Sequence, residues 1–257
     1  MTGDLGRTAG DPRNTSGTVD PDEVSRFDRL AETWWDERGP MRPLHRFNPV
    51  RVGYIRDLAA NHFGRDIRAA APLASLSVLD IGCGGGVLSE PLARLGASVS
   101  GLDPAEKNVA VARTHAEGQG LAIDYRAETV ESVAARGETF DIVLAMEVVE
   151  HVADVAAFVA ATAAVVKPGG LLFMATLNRT AKSFALAIVG AEYILRWLPR
   201  GTHDWHKFVT PDELAGAITR NGLAITDRKG VVYNPLGDTW RQSPDMSVNY
   251  MLAAARV

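Results

Sequence analysis

Three groups of residues in this 257-residue chain are of a type and spacing that can do chemistry. The first is the run Asp80-Ile81-Gly82-Cys83-Gly84-Gly85-Gly86, with Asp103 twenty-one positions after Gly82 (103 − 82). Glycines allow a sharp turn and let a ligand lie against bare backbone. An acidic residue about 20 positions beyond such a turn accepts hydrogen bonds from ribose hydroxyls. The second is Glu147, Glu150 and His151. Spacings of three and four put them on one face of a helix. There His151 can serve as a general base, or the carboxylates can hold a divalent cation such as Mg²⁺. The plain structural alternative is that acidic residues at a helix start favour the dipole. The third is Arg51, expected in the first turn of a helix, where a cation is unfavourable to that dipole.

The glycine turn and Asp103 together suit a nucleoside, which leaves a dinucleotide and S-adenosylmethionine as candidates. The dinucleotide fingerprint G-x-G-x-x-G needs its third glycine at 87, where this chain has Val87. Asp80, immediately before the turn, would repel a pyrophosphate but suits a ligand with an ammonium and a sulfonium. The spacing favours S-adenosylmethionine. Cys83, the one cysteine, is read as a packing residue and not a nucleophile.

Elements must position these groups. Asp20 caps a helix with Pro21 in its first turn and Val24, Phe27, Leu30 and Trp34 on one face. Asn48-Pro49 reads as the start of a second helix. Strands are expected at Ser77–Ile81, Ser98–Leu102, Ala122–Arg126, Asp141–Ala145 and Leu171–Thr176, and helices between them at Ala105–Glu117 and 152–166. Lys167-Pro168-Gly169-Gly170 reads as a turn. This alternation implies a parallel sheet with right-handed crossovers. Thr210-Pro211-Asp212-Glu213 opens a helix with a capping box, and strands near Leu223–Lys229 and Val248–Ala254 pair antiparallel at the sheet edge. Residues 1–19 read as a disordered tail and 20–257 as one domain, with N-terminal helices over 20–76 and a helical insertion over 178–209. That insertion carries Phe184, Leu186, Ile188, Val189, Tyr193, Ile194, Trp197 and Leu198 among Lys182, Arg196, Arg200 and Lys207. It suits either an interfacial helix on anionic lipid or a lid over the substrate.

Hydrophobic residues make up 46% and charged residues 23%, so a full core is expected. A net charge of −4 gives no support for a nucleic-acid partner. A single cysteine suggests a reducing compartment. No secretory signal or run of about 18 apolar residues is visible. The expectation is a cytoplasmic protein, with any membrane contact peripheral on the inner face of the cytoplasmic membrane.

The glycine run, Asp103, Phe140-Asp141-Ile142-Val143 and Lys167-Pro168-Gly169-Gly170 resemble the class I S-adenosylmethionine-dependent methyltransferases. Closer still, Trp34-Trp35-Asp36, the run Pro43-Leu44-His45-Arg46-Phe47-Asn48-Pro49-Val50-Arg51, Thr176-Leu177-Asn178-Arg179, Gly201-Thr202-His203-Asp204 and Val248-Asn249-Tyr250-Met251 resemble the ubiquinone biosynthesis O-methyltransferase family. The resemblance covers residue 20 to the C-terminus. It implies a Rossmann-like α/β fold: a seven-stranded, mostly parallel sheet with an antiparallel last strand and helices on both faces. It implies that Arg51 meets the methionine carboxylate, Gly82 admits the cofactor to the backbone, Asp103 takes the ribose and Met146 packs on the adenosine. Glu128 and Thr129 would cover the adenine. It further implies O-methylation of 2-polyprenyl-6-hydroxyphenol and 3-demethylubiquinol, with other ubiquinone-biosynthesis enzymes as possible partners. His151 would then remove the phenol proton, or Glu147, Glu150 and His151 would hold the Mg²⁺ associated with eukaryotic relatives. The alternative within the class is O-methylation of another phenol or catechol.

Overall fold

The apolar run before the glycine turn forms a strand, and a parallel sheet grows on both sides of it. A computed structural model describes residues 17–186, 205–234 and 237–257. Helices α1 (Pro21–Leu30) and α2 (Arg42–His62) precede β1 (Ser77–Ile81). Then come α3 (Ser89–Arg94), β2 (Ser98–Leu102), α4 (Glu106–Gly118), β3 (Asp124–Arg126), α5 (Val130–Ala135), β4 (Phe140–Met146), α6 (Val155–Ala164) and β5 (Val166–Leu177). A short helix α7 (Ala181–Ser183), α8 (Pro211–Arg220), β6 (Leu223–Asn234), β7 (Thr239–Ser243) and β8 (Asn249–Arg256) complete the described chain.

The sheet order is β3-β2-β1-β4-β5-β8-β6-β7. The pairs from β3 to β5 are parallel, and β8 runs antiparallel between β5 and β6. Strand side chains alternate between faces. Val78, Ile142, Leu144, Phe173 and Met251 pack with Phe47, Tyr54 and Ile55 of α2 and Leu92 of α3. Leu79, Val143, Met174 and Leu252 pack with α5, α6 and α8 through Val133, Phe158, Val159, Leu214 and Ile218. Helices on both faces explain why the central strands read as continuous apolar runs.

The expected capping devices form: Asp20 accepts from the Asp22 amide, and Thr210 and Glu213 make a reciprocal box. Four expectations change. Asn48 does not start a helix, because α2 already begins at Arg42, with Pro43 in its first turn and Pro49 inside it. Asn48 Nδ2 donates instead to the Val87 carbonyl at 2.7 Å, and burial of the α2 face outweighs the broken ladder at Pro49. The sheet has eight strands, not seven, because β7 pairs with β6 across Gly237-Asp238. The closing antiparallel pair therefore lies inside the sheet, with β7 at the edge. Lys167–Gly170 is not a turn between elements but a bulge in β5, between Phe140↔Val166 and Ile142↔Leu171. Thr18 and Val19, assigned to the tail, are tied down: the Ala153 amide donates to the Thr18 carbonyl at 2.7 Å, and Val19 bridges Val152.

The bulge is held by one carboxylate. Asp141 Oδ2 accepts from the Ser77 amide at 2.8 Å and the Ser77 hydroxyl at 2.6 Å, and Lys167 Nζ lies 3.0 Å away. Burial pushes the Asp141 carboxyl up, but the Ser77 donors and the Lys167 charge outweigh it and hold the group below the usual range. A depressed folded-state value gives stability that is present above the unfolded pKa and lost as pH falls through the folded one. Asp141→Asn should lower unfolding stability at pH 7 by on the order of 1 kcal/mol. The gap to wild type should shrink in denaturant titrations stepped below about pH 4.

Candidate active site

The turn after β1 puts three glycines at positive φ: Gly82 at 70°, Gly84 at 54° and Gly86 at 86°. Asp103, just past β2, closes it. Its Oδ2 accepts from the Gly84 amide at 2.9 Å, and its Oδ1 accepts from the Ala105 amide at 2.9 Å and Asn108 Nδ2 at 3.2 Å. Asn108 Oδ1 in turn accepts from Trp34 Nε1 at 2.8 Å. Burial pushes the Asp103 carboxyl up, against these donors. Trp34 lies so close over the turn that a Cβ on Gly84 would sit 2.4 Å from its ring. Trp35 Nε1 donates to the Gly85 carbonyl at 2.9 Å. A Cβ on Gly82 would meet Val148 at 2.6 Å, so protein packing as well as φ demands glycine there. Cys83 is buried and free, and burial pushes its thiol well up, as suits a packing residue.

A buried charge cluster lies beside the turn. Arg51, mid-way along α2, is 3% exposed. Its Nη2 donates to Asn48 Oδ1 at 2.9 Å, while its Nε has no partner among the described residues. Desolvation lowers its pKa, and Glu147 and Asp80 counter this. Asp80 accepts from the Ser89 hydroxyl at 2.6 Å, and burial pushes its carboxyl up to about 6. Glu147 follows β4 at φ 64°. A non-glycine residue there is strained, a state that clusters at functional sites. Glu147 Oε1 and Glu150 Oε2 are buried without hydrogen-bond partners among the described residues. Burial, then the neighbouring Glu150 charge, pushes the Glu147 carboxyl well above the carboxylate range, with Arg51 opposing.

Glu147, Glu150 and His151 do not share a helix face as expected. Glu147 is outside any helix, and Val149–His151 form one 3₁₀ turn before α6. His151 Nδ1 lies 3.2 Å from Glu23 Oε2 on α1, and Phe27 stacks edge-on against its ring at 5.3 Å. Among the described residues no three His, Cys, Asp or Glu side chains converge to hold a metal. His151 is turned to Glu23, so the structure leaves Glu147 and Glu150 as neighbours without it.

One cavity of about 730 Å³ joins these groups. It is lined by Gly82, Asp103, Met146, Glu128 and Thr129, and Asp80, Arg51, Glu147, Glu150 and His151 also face it. Past Arg51 it runs over the β5, β8 and β6 side, lined by Phe47, Leu177, Val231, Trp240 and Asn249. Sequence reasoning gave no site role to Glu23, Phe27, Trp240 or Asn249. The β7 residue had one available cue, the Gly237-Asp238 turn between β-favouring runs.

A family model described as a methyltransferase domain matches residues 79–174. A ubiquinone biosynthesis O-methyltransferase from Methylobacterium nodulans is 65% identical over 242 residues, spanning 94% of this chain and 97% of the relative. One from Rhizobium etli is 60% identical over 93% of this chain and 96% of the relative. The chain belongs to the ubiquinone biosynthesis O-methyltransferase family. It is accordingly an S-adenosylmethionine-dependent O-methyltransferase. The fold matches a crystal structure of magnesium protoporphyrin IX methyltransferase (ChlM) from Synechocystis PCC 6803 with bound SAH, at TM-score 0.61 and 20% identity, covering 92% and 100% of the two chains. It also matches the [4+2]-cyclase SpnF, at TM-score 0.55 and 16% identity, covering 90% and 96%. Fold by itself therefore does not name the reaction in this family member.

Glu147 has a testable signature. A carboxyl whose folded value is raised costs stability as pH rises from its unfolded value, about 4.3, through the folded one. Glu147→Gln removes that cost. Without added ligand or divalent cation, its melting temperature should match wild type below about pH 4 and exceed it increasingly from there to pH 8, at about 2–4 °C per kcal/mol.

Proposed function

We propose that this enzyme methylates an aromatic hydroxyl on a polyprenylated ring, in 2-polyprenyl-6-hydroxyphenol and in 3-demethylubiquinol. The observation that carries this reading is the single cavity that runs from the Asp103 end past Arg51 into an apolar, aromatic chamber. One end suits a nucleoside and the other an apolar ring, with charged groups where the two would meet.

The residues fit the cofactor. Arg51 Nε is a buried donor with no described partner, suited to a carboxylate. Asp103 faces the cavity as the acceptor for ribose hydroxyls, Met146 offers an adaptable apolar wall, and Gly82 lines the cavity beside them. Bound S-adenosylmethionine supplies an electrophilic methyl on sulfonium, which leaves as the substrate oxygen attacks in line. The chain's own contribution is orientation and exclusion of water. His151 is the proposed base. With Nδ1 facing Glu23, Nε2 is the nitrogen left to take the phenol proton. Phe184 and Leu186, 46% and 53% exposed at the start of the insertion beside Lys182, support peripheral contact with anionic lipid, from which a polyprenylated substrate would enter. No helix among the described residues is long and apolar enough to cross a membrane. The residues 187–204, where most of the expected interfacial positions fall, lie outside the described residues.

One observation favours a second reading of the same centre. Glu147 and Glu150 each present an unpartnered buried oxygen. Mg²⁺ is commonly held by one or two carboxylates with waters and substrate oxygens. The pair fits such an ion without His151, and the ion would favour the phenolate form of the substrate.

Purified enzyme incubated with labelled S-adenosylmethionine and a demethylated quinol should give a methoxylated product by mass spectrometry. Absence of transfer by folded, cofactor-binding protein would defeat the substrate assignment. His151→Ala should lower kcat by about 10²–10⁴-fold with cofactor affinity kept. A variant with near-wild-type kcat across pH 6 to 9 would remove His151 from the chemistry. Mn²⁺ titrated into the protein should lose its free electron paramagnetic resonance signal, and the loss should vanish in Glu150→Gln. An undiminished signal with wild type would reject the cation.

A further inference from the structure

Asn249 opens β8 inside the acceptor half of the cavity. In register it lies opposite Leu177 of β5 and Val231 of β6, and both of these line the same chamber. It is 7% exposed. Its Oδ1 is buried with no hydrogen-bond partner among the described residues. Thr162 and Thr176 also carry unpartnered buried hydroxyls, but neither lines the cavity. Around Asn249 the chamber is apolar: Phe47 and Trp240 lie 5.3 Å apart, with Leu177, Val231 and Val248 beside them. A strand position between apolar neighbours, facing an apolar chamber, would gain by carrying Val or Leu. An unpaired buried amide oxygen costs stability that only a partner recovers.

We propose that Asn249 reads the acceptor ring, with its carboxamide bonded to an oxygen substituent ortho to the hydroxyl that is methylated. This rests on the O-methyl transfer reading above. Both proposed substrates carry such an oxygen: the second hydroxyl of the 6-hydroxyphenol, and the ring oxygens flanking position 3 of the demethylquinol. A carboxamide presents an acceptor and two donors. It can therefore accept from a hydroxyl or donate to a methoxy oxygen, which lets one side chain serve both rings. A site built to bond a ring oxygen also rejects an analogue lacking it, because its own polar group is then left unpaired.

The test compares a short-chain prenyl catechol with the matching monophenol, which lacks the neighbouring oxygen, in wild type and Asn249→Leu. Wild type should prefer the catechol strongly in kcat/KM. Asn249→Leu should shrink that preference by about 10–100-fold, through a raised KM for the catechol, with S-adenosylmethionine affinity unchanged. Its melting temperature should not fall, since no bond inside the protein is removed. Should Asn249→Leu fail to fold, Asn249→Ala gives the same comparison without adding an apolar side chain to the strand. An unchanged catechol preference, or equal loss on both acceptors, would overturn the proposal. A wild type that methylates neither acceptor would overturn the substrate reading above, and this proposal with it.

Discussion

Arg51 is a guanidinium taken almost wholly out of water, and burying a charge without compensation costs several kcal/mol. That cost is opposed by the charge of Asp80, before the glycine turn, with Glu147, after β4, contributing as it ionises. The dependence runs both ways. Without Arg51, Asp80 would keep the Ser89 hydroxyl but lose the charge that favours its ionised form, and Glu147 would be left beside Glu150. Arg51 lines the same cavity as Gly82 and Asp103 of the turn and the apolar Leu177, Val231 and Trp240. Three elements far apart in sequence, α2, β1 and β4, are thereby fixed around the place where donor and acceptor would meet.

The glycine turn is held from outside as well. Asp103 and Asn108 connect it to Trp34, whose ring lies over the bare backbone of Gly84 and Gly85. The N-terminal segment thus forms a roof over the nucleoside end. Its hold extends through Lys207 to Asp20 at 2.9 Å and through Glu23 to His151. A proposed base and the roof of the cofactor site consequently share one contact. Opening the roof would release the imidazole from its orienting carboxylate.

Much of this was legible in the residues. Strands β1, β2 and β4 announce themselves as short apolar runs ending in glycine or acidic residues, and the Thr210–Glu213 capping box was legible too, whereas Glu23 turns to Arg26 and His151 instead of completing a box with Asp20. The glycine spacing, with Val87 and Asp80, already separated a cationic cofactor from a pyrophosphate. What was hidden had physical causes. Pro49 looks like a helix start, yet tertiary burial of Phe47, Tyr54 and Ile55 carries α2 straight through it. The local pattern around Glu147 says helix, but β4 ends by throwing that residue to positive φ, which no periodicity reveals. Glu23 and His151 are 128 positions apart, and Asn249 becomes notable only when its strand is seen to lack a partner for its amide.

The central proposal is that Arg51 separates a nucleoside half of the cavity from an acceptor half. A crystal structure of the ternary complex with S-adenosylhomocysteine and a demethylated quinol tests it most directly. The account predicts ribose hydroxyls on Asp103, the amino-acid carboxylate at Arg51 and the quinol ring between Phe47, Trp240 and Asn249. A nucleoside seated against Trp240, or a quinol ring on the Asp103 side of Arg51, would contradict it.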